Sequence, residues 1–185
     1  MKIDSFSGKY RFLSNFFPCE ITYEGITYPS VEHAFQAAKS LDLKERKSIS
    51  ELKTPGQAKK YGKQVNLRQE WEKIKFDVME TLVRQKFSTT ELKEKLLKTG
   101  KADLEEGNTW GDTTWGVYNG IGDNHLGKIL MKIRGTITTP AEHQTALEEI
   151  KKLFDLDFKP DSTEGQRIEF LIPLIEDYEK RTFKF

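Results

Sequence analysis

The alternation of apolar and polar positions divides the chain into a series of short elements. Ile21-Thr22-Tyr23 and Ile26-Thr27-Tyr28 are β-prone runs on either side of Glu24-Gly25, which predicts a tight hairpin. Pro29-Ser30 stops the second run, and Ser30 is placed to cap a helix. In that helix Val31, Ala34, Phe35, Ala38 and Leu41 recur at helical spacing and form an inward stripe. Thr54-Pro55 opens a short helix to about Gly62. Arg68 to Phe87 is the longest helix expected, with Trp71, Ile74, Val78, Leu82 and Phe87 in register. A shorter one runs from about Thr90 to a glycine cap at Thr99-Gly100. Residues 101 to 123, rich in Gly, Asn, Asp and Trp, read as a long ordered loop. Asn124 then caps a helix carrying Leu126, Ile129, Leu130 and Ile133.

Gly135 to Thr139 marks the domain boundary, dividing a body, 1–135, from a helical tail, 136–185. Thr139-Pro140-Ala141-Glu142 is a capping box with proline at the first helical position, and its helix is expected to bury Ala146, Leu147, Ile150 and Phe154. Asp155 to Thr163 reads as a turn. A last helix presents Ile168, Leu171, Ile172, Ile175 and Tyr178, and Pro173 within it predicts a kink or an early end. Such an αα-hairpin is too small to hold a core alone, so it must pack on the body or on another chain. The elements expected are thus a short N-terminal hairpin, a run of helices and a C-terminal αα-hairpin.

Composition narrows the classes open to the chain. With 36% hydrophobic and 32% charged residues it can bury a core under a well-charged surface, and it has no apolar run long enough to span a bilayer. Met1 to Phe6 carry acid and polar groups where a signal peptide would need apolar ones, so a cytoplasmic location is expected. Cys19 is the only cysteine, which excludes an intramolecular disulfide or a cysteine zinc cluster and leaves it as a small buried hydrophobe. Net charge is +1, but residues 136–185 hold 7 Lys/Arg against 11 Asp/Glu, and residues 1–135 hold 23 against 18. A mildly basic body suits a phosphate-bearing ligand, whereas the acidic tail argues against contact between tail and DNA.

The candidate chemistry begins on the first helix. Glu32, Gln36 and Lys39 share one face at i, i+4 and i+7, a spacing that a solvated surface would also show. Glu32 lies in the first turn, where the helix dipole favours a carboxylate or a bound anion. His33 points elsewhere and reads as a structural residue near the helix start. Three histidines without ligand spacing give no metal site, and there is no G-x-S-x-G, Walker loop or Rossmann fingerprint. Asn108-Thr109-Trp110-Gly111-Asp112-Thr113-Thr114-Trp115-Gly116 is the most unusual segment. Its tryptophans either anchor the loop to the core or form a stacking wall for a planar base, with Gly111 and Gly116 letting the backbone approach a ligand. Trp71 carries the same two readings. Gly120, Gly122 and Gly127 around Asn124 either build a phosphate-accepting helix start or plain turns.

Phe12-Leu13-Ser14-Asn15-Phe16 and Ser30-Val31-Glu32-His33-Ala34-Phe35-Gln36-Ala37-Ala38-Lys39 resemble the opening motifs of the NADAR family, the YbiA-like N-glycosidases. The likeness continues through Trp71-Glu72-Lys73-Ile74-Lys75, Met79, Thr99-Gly100, Asp112-Thr113-Thr114-Trp115-Gly116 and Asn124-His125-Leu126-Gly127, to Leu130-Met131-Lys132-Ile133-Arg134. It covers about residues 6–135 and implies an N-glycosidase of the fold class α+β, mostly helical, a YbiA-like NADAR domain without metal or cofactor. The substrates it implies are phosphoribosylated riboflavin-pathway intermediates, or guanine in nucleic acid from which ADP-ribose is removed. By position it implies functional roles for Glu32, Trp71, Asp112 and Trp115. Gln36 and Lys39 complete the helix motif, and Asn15 and Phe16 the early loop. Some relatives carry Asp directly after the Trp-Gly pair, where this chain has Val117, so any role of that carboxylate falls here on Asp112 or Glu32.

In the tail, Ala146 to Ile150, Leu153-Phe154-Asp155, Thr163-Glu164-Gly165 and Leu174 to Glu179 resemble the helical region of HigA-type antitoxins, without their helix-turn-helix. That likeness implies a docking element for a toxin partner or a homo-oligomer. It also tilts the substrate expectation toward ADP-ribose on guanine.

The mechanism expected places Glu32 near C1′, where cleavage develops oxocarbenium character, with Asp112 assisting at the ribose hydroxyls or the water. Trp71, Trp110 and Trp115 would stack the base, and Gly116 and Asn124 complete the binding set. Lys39 either pairs with Glu32 or a phosphate, or attacks the opened sugar as a neutral amine. The rival classes are an ADP-ribose-binding module without turnover and a toxin-neutralising interaction protein.

Overall fold

The computed structural model describes residues 1–156 and 158–183. The chain opens with β1 (Lys2–Ile3) and a 3₁₀ helix (Gly8–Leu13). The hairpin forms as expected: β2 (Ile21–Tyr23) pairs antiparallel with β3 (Ile26–Tyr28), Thr22 opposite Thr27. Its turn residues, Glu24 and Gly25, have φ of 44° and 80°, the left-handed pair whose twist suits a two-residue hairpin.

Helix α1 (Val31–Ala37) starts at Ser30, whose side chain accepts from the His33 backbone N–H. It is shorter than the apolar stripe suggested. The chain breaks after Ala38, Asp42 caps a second helix, α2 (Leu43–Ser50), and Leu41 lies exposed in the connection. α2 had no apolar stripe to announce it, since only Arg46 and Ile49 on it are buried. α3 (Pro55–Tyr61) carries the full Thr54–Gln57 capping box, and α4 (Trp71–Lys86) begins three residues later than expected. α5 (Thr90–Leu97) ends at Gly100, with φ of 57°.

The segment read as a loop contains three two-residue strands. β4 (Asp103–Leu104) pairs parallel with β1, and β5 (Gly107–Asn108) pairs parallel with β6 (Val117–Tyr118). α6 (His125–Arg134) follows, but Asn124 does not cap it. Its φ is 52°, and its side chain instead donates to the Leu104 carbonyl and accepts from the Glu106 N–H.

α1 lies at the centre, packed against α2, α3 and α4, and all seven of its residues are buried. Buried polar groups are costly unless they are paired or serve a function, so Glu32, His33 and Gln36 in this helix demand an account. For His33 the account is structural. Its Nε2 donates to the Leu52 carbonyl, which leaves Nδ1 to accept from the Ser30 hydroxyl.

The tail forms α7 (Pro140–Phe154) and α8 (Thr163–Thr182) around a small separate cluster of Ile137, Ala146, Leu171, Ile175 and Tyr178. Leu147, Phe154 and Ile172, expected in that core, are exposed, because α7 and α8 cover only one face of each other. α8 runs through Pro173 without ending, its flanking Leu171 and Ile175 both packed in the cluster. Residues 157, 184 and 185 of the expected turn and tail fall outside the described residues. The hairpin docks on its own body: Arg167 donates to the Leu97 carbonyl and pairs with Glu149, and Lys93 holds the Ile133 and Thr136 carbonyls. Among the described residues, no helix is long and apolar enough to cross a membrane.

Candidate active site

One cavity, of about 470 Å³, opens beside α1 and gathers most of the polar residues singled out above. Glu32 and Gln36 enter it from α1. Asn15 and Phe16 come from the turn after the 3₁₀ helix, Lys39 from just past α1, and Trp110, Asp112 and Trp115 from the segment between β5 and β6. The early turn and α1 are joined directly, since the Glu32 backbone N–H donates to the Asn15 carbonyl at 3.1 Å.

Glu32 is 6% exposed, and Gln36 Nε2 donates to its Oε1 at 2.8 Å. Burial pushes its pKa up and nearby Asp112 adds to the rise, while Gln36, Lys59 and Lys39 oppose it. Lys39 is half-buried, and burial pulls its pKa down, with Lys59 and Lys63 in the same direction and Glu32 against. Its Nζ stands 5.9 Å from the centre of the Phe35 ring.

Asp112 has a structural duty as well as a place in the lining. Its Oδ1 accepts from the Thr114 and Trp115 N–H groups at 3.0 and 2.9 Å, which sets the turn that aims Trp115 inward. Asn108 rivets the same segment, accepting from the Trp110 and Asp112 N–H groups and donating to the Asp112 and Val117 carbonyls. Trp115 meets Phe35 edge-on at 5.2 Å and leans on Phe76, so one side is core and the other is cavity.

Several expected site residues lie elsewhere. Trp71 is 4% exposed and packs on Phe35 at 5.0 Å; it is a core residue and does not line the cavity, so it offers no base platform there. Gly116 is also outside the lining. A Cβ on it would come within 2.1 Å of the Glu106 carbonyl, so its small size serves chain packing and not ligand approach. Asn124 supports the Glu106 backbone instead of facing a ligand. Gly127 packs against the Leu104 carbonyl, and none of Gly120, Gly122 and Gly127 lines the cavity. Val117 is likewise outside it, on β6.

The cavity also contains groups that the sequence patterns did not single out. Glu106 lines it, and its pKa is pushed up to about 7, by burial first and then by the charges of Asp112 and Glu32. Its neighbour in sequence, Glu105, pairs with Lys2 at the surface, and nothing in the Glu105-Glu106 doublet distinguishes the two. Arg11, Lys59 and Lys63 add positive charge to the wall. Lys59 Nζ lies near two aromatic rings, 5.1 Å from the centre of Trp110 and 6.0 Å from that of Phe16. Trp110 itself is 61% exposed at the rim. Asn15, in the cavity lining, has its Oδ1 buried with no hydrogen-bond partner among the described residues. The arrangement therefore gathers three carboxyls, four basic side chains and aromatic walls around one space, groups able to hold a polar ligand and to move protons.

Known proteins share this arrangement of sequence and fold. The chain is 41% identical over 134 residues to N-glycosidase YbiA of Shigella boydii, covering 70% of this chain and 83% of that protein. The NMR structure of E. coli YbiA superposes with a TM-score of 0.64 at 37% identity, covering 82% of this chain and 87% of that one. Riboflavin biosynthesis protein VVA0006 of Vibrio vulnificus is 38% identical over 129 residues, 68% of this chain, which spans only 35% of that longer protein. The fold is that of YbiA, and the chain is an enzyme of the N-glycosidase class, the hydrolases acting on N-glycosyl bonds. Residues 4–138 match the NADAR domain, and the chain belongs to the NADAR family.

Proposed function

We propose that the chain hydrolyses the bond between C1′ of a phosphorylated ribose and a nitrogen of its base, within the 470 Å³ cavity. The observation that carries this reading is the meeting of Glu32, Glu106 and Asp112 with Arg11, Lys39, Lys59 and Lys63 around one space. The cations suit the phosphate. The carboxyls suit a bond whose cleavage leaves positive charge at C1′ and the electron pair on the departing nitrogen.

In this scheme Glu32, buried and held by Gln36, faces the forming oxocarbenium ion and orients the water that attacks C1′. Glu106, with its pKa near neutrality, supplies the proton that the departing base takes and recovers one from the water. Asp112 raises both of their pKa values and binds ribose hydroxyls with its remaining oxygen. Trp115 and Phe16 flank the base. Lys39, not ion-paired with Glu32 among the described residues but under its charge, would hold the phosphate, and its lowered pKa also suits covalent attack on the opened sugar, which borohydride trapping of a Lys39 adduct would reveal.

Among substrates, the reading favours a phosphoribosylated riboflavin-pathway intermediate, supported by the name of the Vibrio vulnificus relative. The antitoxin likeness of the tail favours ADP-ribose, but none of the tail's described residues lines the cavity. ADP-ribose removal from guanine in nucleic acid is the second reading, favoured by Trp110, which stands exposed at the rim beside Lys59 and could stack a further base. Under that reading the tail's exposed Leu147, Phe154 and Ile172 would serve a toxin partner or a second copy. Purified protein incubated separately with each substrate, followed by mass spectrometry of the released base, tests both. Release from neither, with intact ligand bound, would overturn the hydrolytic reading in favour of a binding module.

A further inference from the structure

Lys86, Lys93 and Arg134 are buried cations that hold backbone carbonyls. Lys93 and Arg134 tie helix ends away from the cavity. Lys86 does something different. It sits in the last turn of α4, 2% exposed, and its Nζ donates at 2.7 Å to the carbonyl of Ser14, a residue of the cavity wall. Its ammonium also lies 5.5 Å from the centre of the Phe17 ring and 5.1 Å from that of Phe87. No carboxylate among the described residues forms an ion pair with it.

A buried ammonium without a carboxylate partner is costly, and a methionine of similar length would fill the same space without that cost. Its placement matters because of what lies on either side of the carbonyl it holds. Ser14 follows the C-terminal end of the 3₁₀ helix, where carbonyl oxygens favour a cation. The next carbonyl, that of Asn15, accepts from the Glu32 N–H at 3.1 Å. The Ser14–Asn15 backbone is therefore pinned by α4 on one side and by the first turn of α1 on the other. Beyond it, Asn15 and Phe16 line the cavity.

We propose that Lys86 is a positioning residue for the cavity, fixing the Ser14–Phe16 wall against α1 by its clamp on the Ser14 carbonyl. The proposal rests on the cavity being the site of N-glycoside cleavage. Burial pushes the Lys86 pKa down to about 7, with Cys19 and Glu106, the acidic groups near it, opposing the fall. The clamp is therefore held at a cost to the charged form, as expected of a group kept for its placement.

Lys86→Met removes the donor and the charge at nearly constant volume. It is expected to raise KM for the phosphorylated riboside roughly tenfold, the scale of one lost charged hydrogen bond, with a smaller change in kcat. Lys86→Arg keeps a permanent cation and is expected to recover most of that loss. Unchanged KM in Lys86→Met, or equal losses of kcat and KM in both variants, would overturn the proposal. A second measurement needs no variant: in wild-type protein with ¹³C-labelled lysine, the Lys86 resonance should shift when ribose 5-phosphate saturates the cavity. A Lys86 resonance that stays in place while the ligand binds would also overturn it. Because ribose 5-phosphate has no base to release, this arm still reads the clamp if the N-glycosidase reading itself fails.

Discussion

Replacing Glu106 with Gln tests the electrostatics of the cavity without depending on any substrate. The Glu106 backbone is held by Asn124 Oδ1 and by the Val117 N–H, and both contacts survive the substitution. Only the titrating carboxyl is removed. In the fold its pKa is pushed up to about 7 from an ordinary value of 4.5. Below about pH 4.5 the carboxyl is protonated in both the folded and unfolded chain and costs nothing. As pH rises toward 7, the unfolded chain ionises while the fold retains its proton, so wild-type stability falls across that window and levels off above it. The full difference corresponds to about 3 kcal/mol, or roughly 6–12 °C in Tm for a chain of this size. Glu106→Gln cannot make this loss. Thermal unfolding of both proteins from about pH 4.5 to pH 8 should therefore show the variant gaining on wild type as pH rises through that window. Parallel Tm curves would refute the assignment of a raised pKa to Glu106, whatever constant offset the amide introduces.

Three further outcomes follow from the same geometry. Glu32→Gln can keep the hydrogen bond from Gln36 and should fold normally, yet it should lose at least about two orders of magnitude in kcat, measured by base release. Lys59→Ala should raise KM for a phosphorylated ligand about tenfold at low salt, with the difference shrinking as ionic strength rises, as titration calorimetry at two salt concentrations would show. Trp71→Ala should cost about 3–5 kcal/mol in denaturant unfolding, because the ring is packed on Phe35 in the core, while the protein that remains folded keeps a near-normal KM.

Local signals made much of this architecture legible. Glu24-Gly25, Ser30, Thr54-Pro55, Thr99-Gly100 and the Thr139 capping box each specify backbone geometry within a few residues, and each adopts it. The shared face of Glu32 and Gln36 was equally readable, because helical spacing fixes direction. That this face is buried was not readable, since the same spacing suits solvent; burial comes from α2, α3 and α4 closing around α1. α2 escaped notice because a helix with two buried positions leaves no periodic stripe. The three tryptophans show the limit most plainly. Trp71, Trp110 and Trp115 end in the core, at the rim and on the cavity wall, places set by long-range packing that composition does not encode. Glu106, Lys59 and Lys63 belong to the same group: they reach the cavity only through the course of the β4–β6 segment and the placement of α3.

Base release from a phosphoribosylated riboflavin-pathway intermediate, followed by mass spectrometry for wild type and Glu32→Gln side by side, decides whether this cavity hydrolyses an N-glycosidic bond through Glu32. Wild-type protein should release free base and free sugar phosphate, with at least about a hundredfold less from the variant. Equal release by both proteins would contradict the role given to Glu32. No release by wild type from this substrate or from ADP-ribosylated guanine, with either ligand recovered intact, would contradict hydrolysis in this cavity.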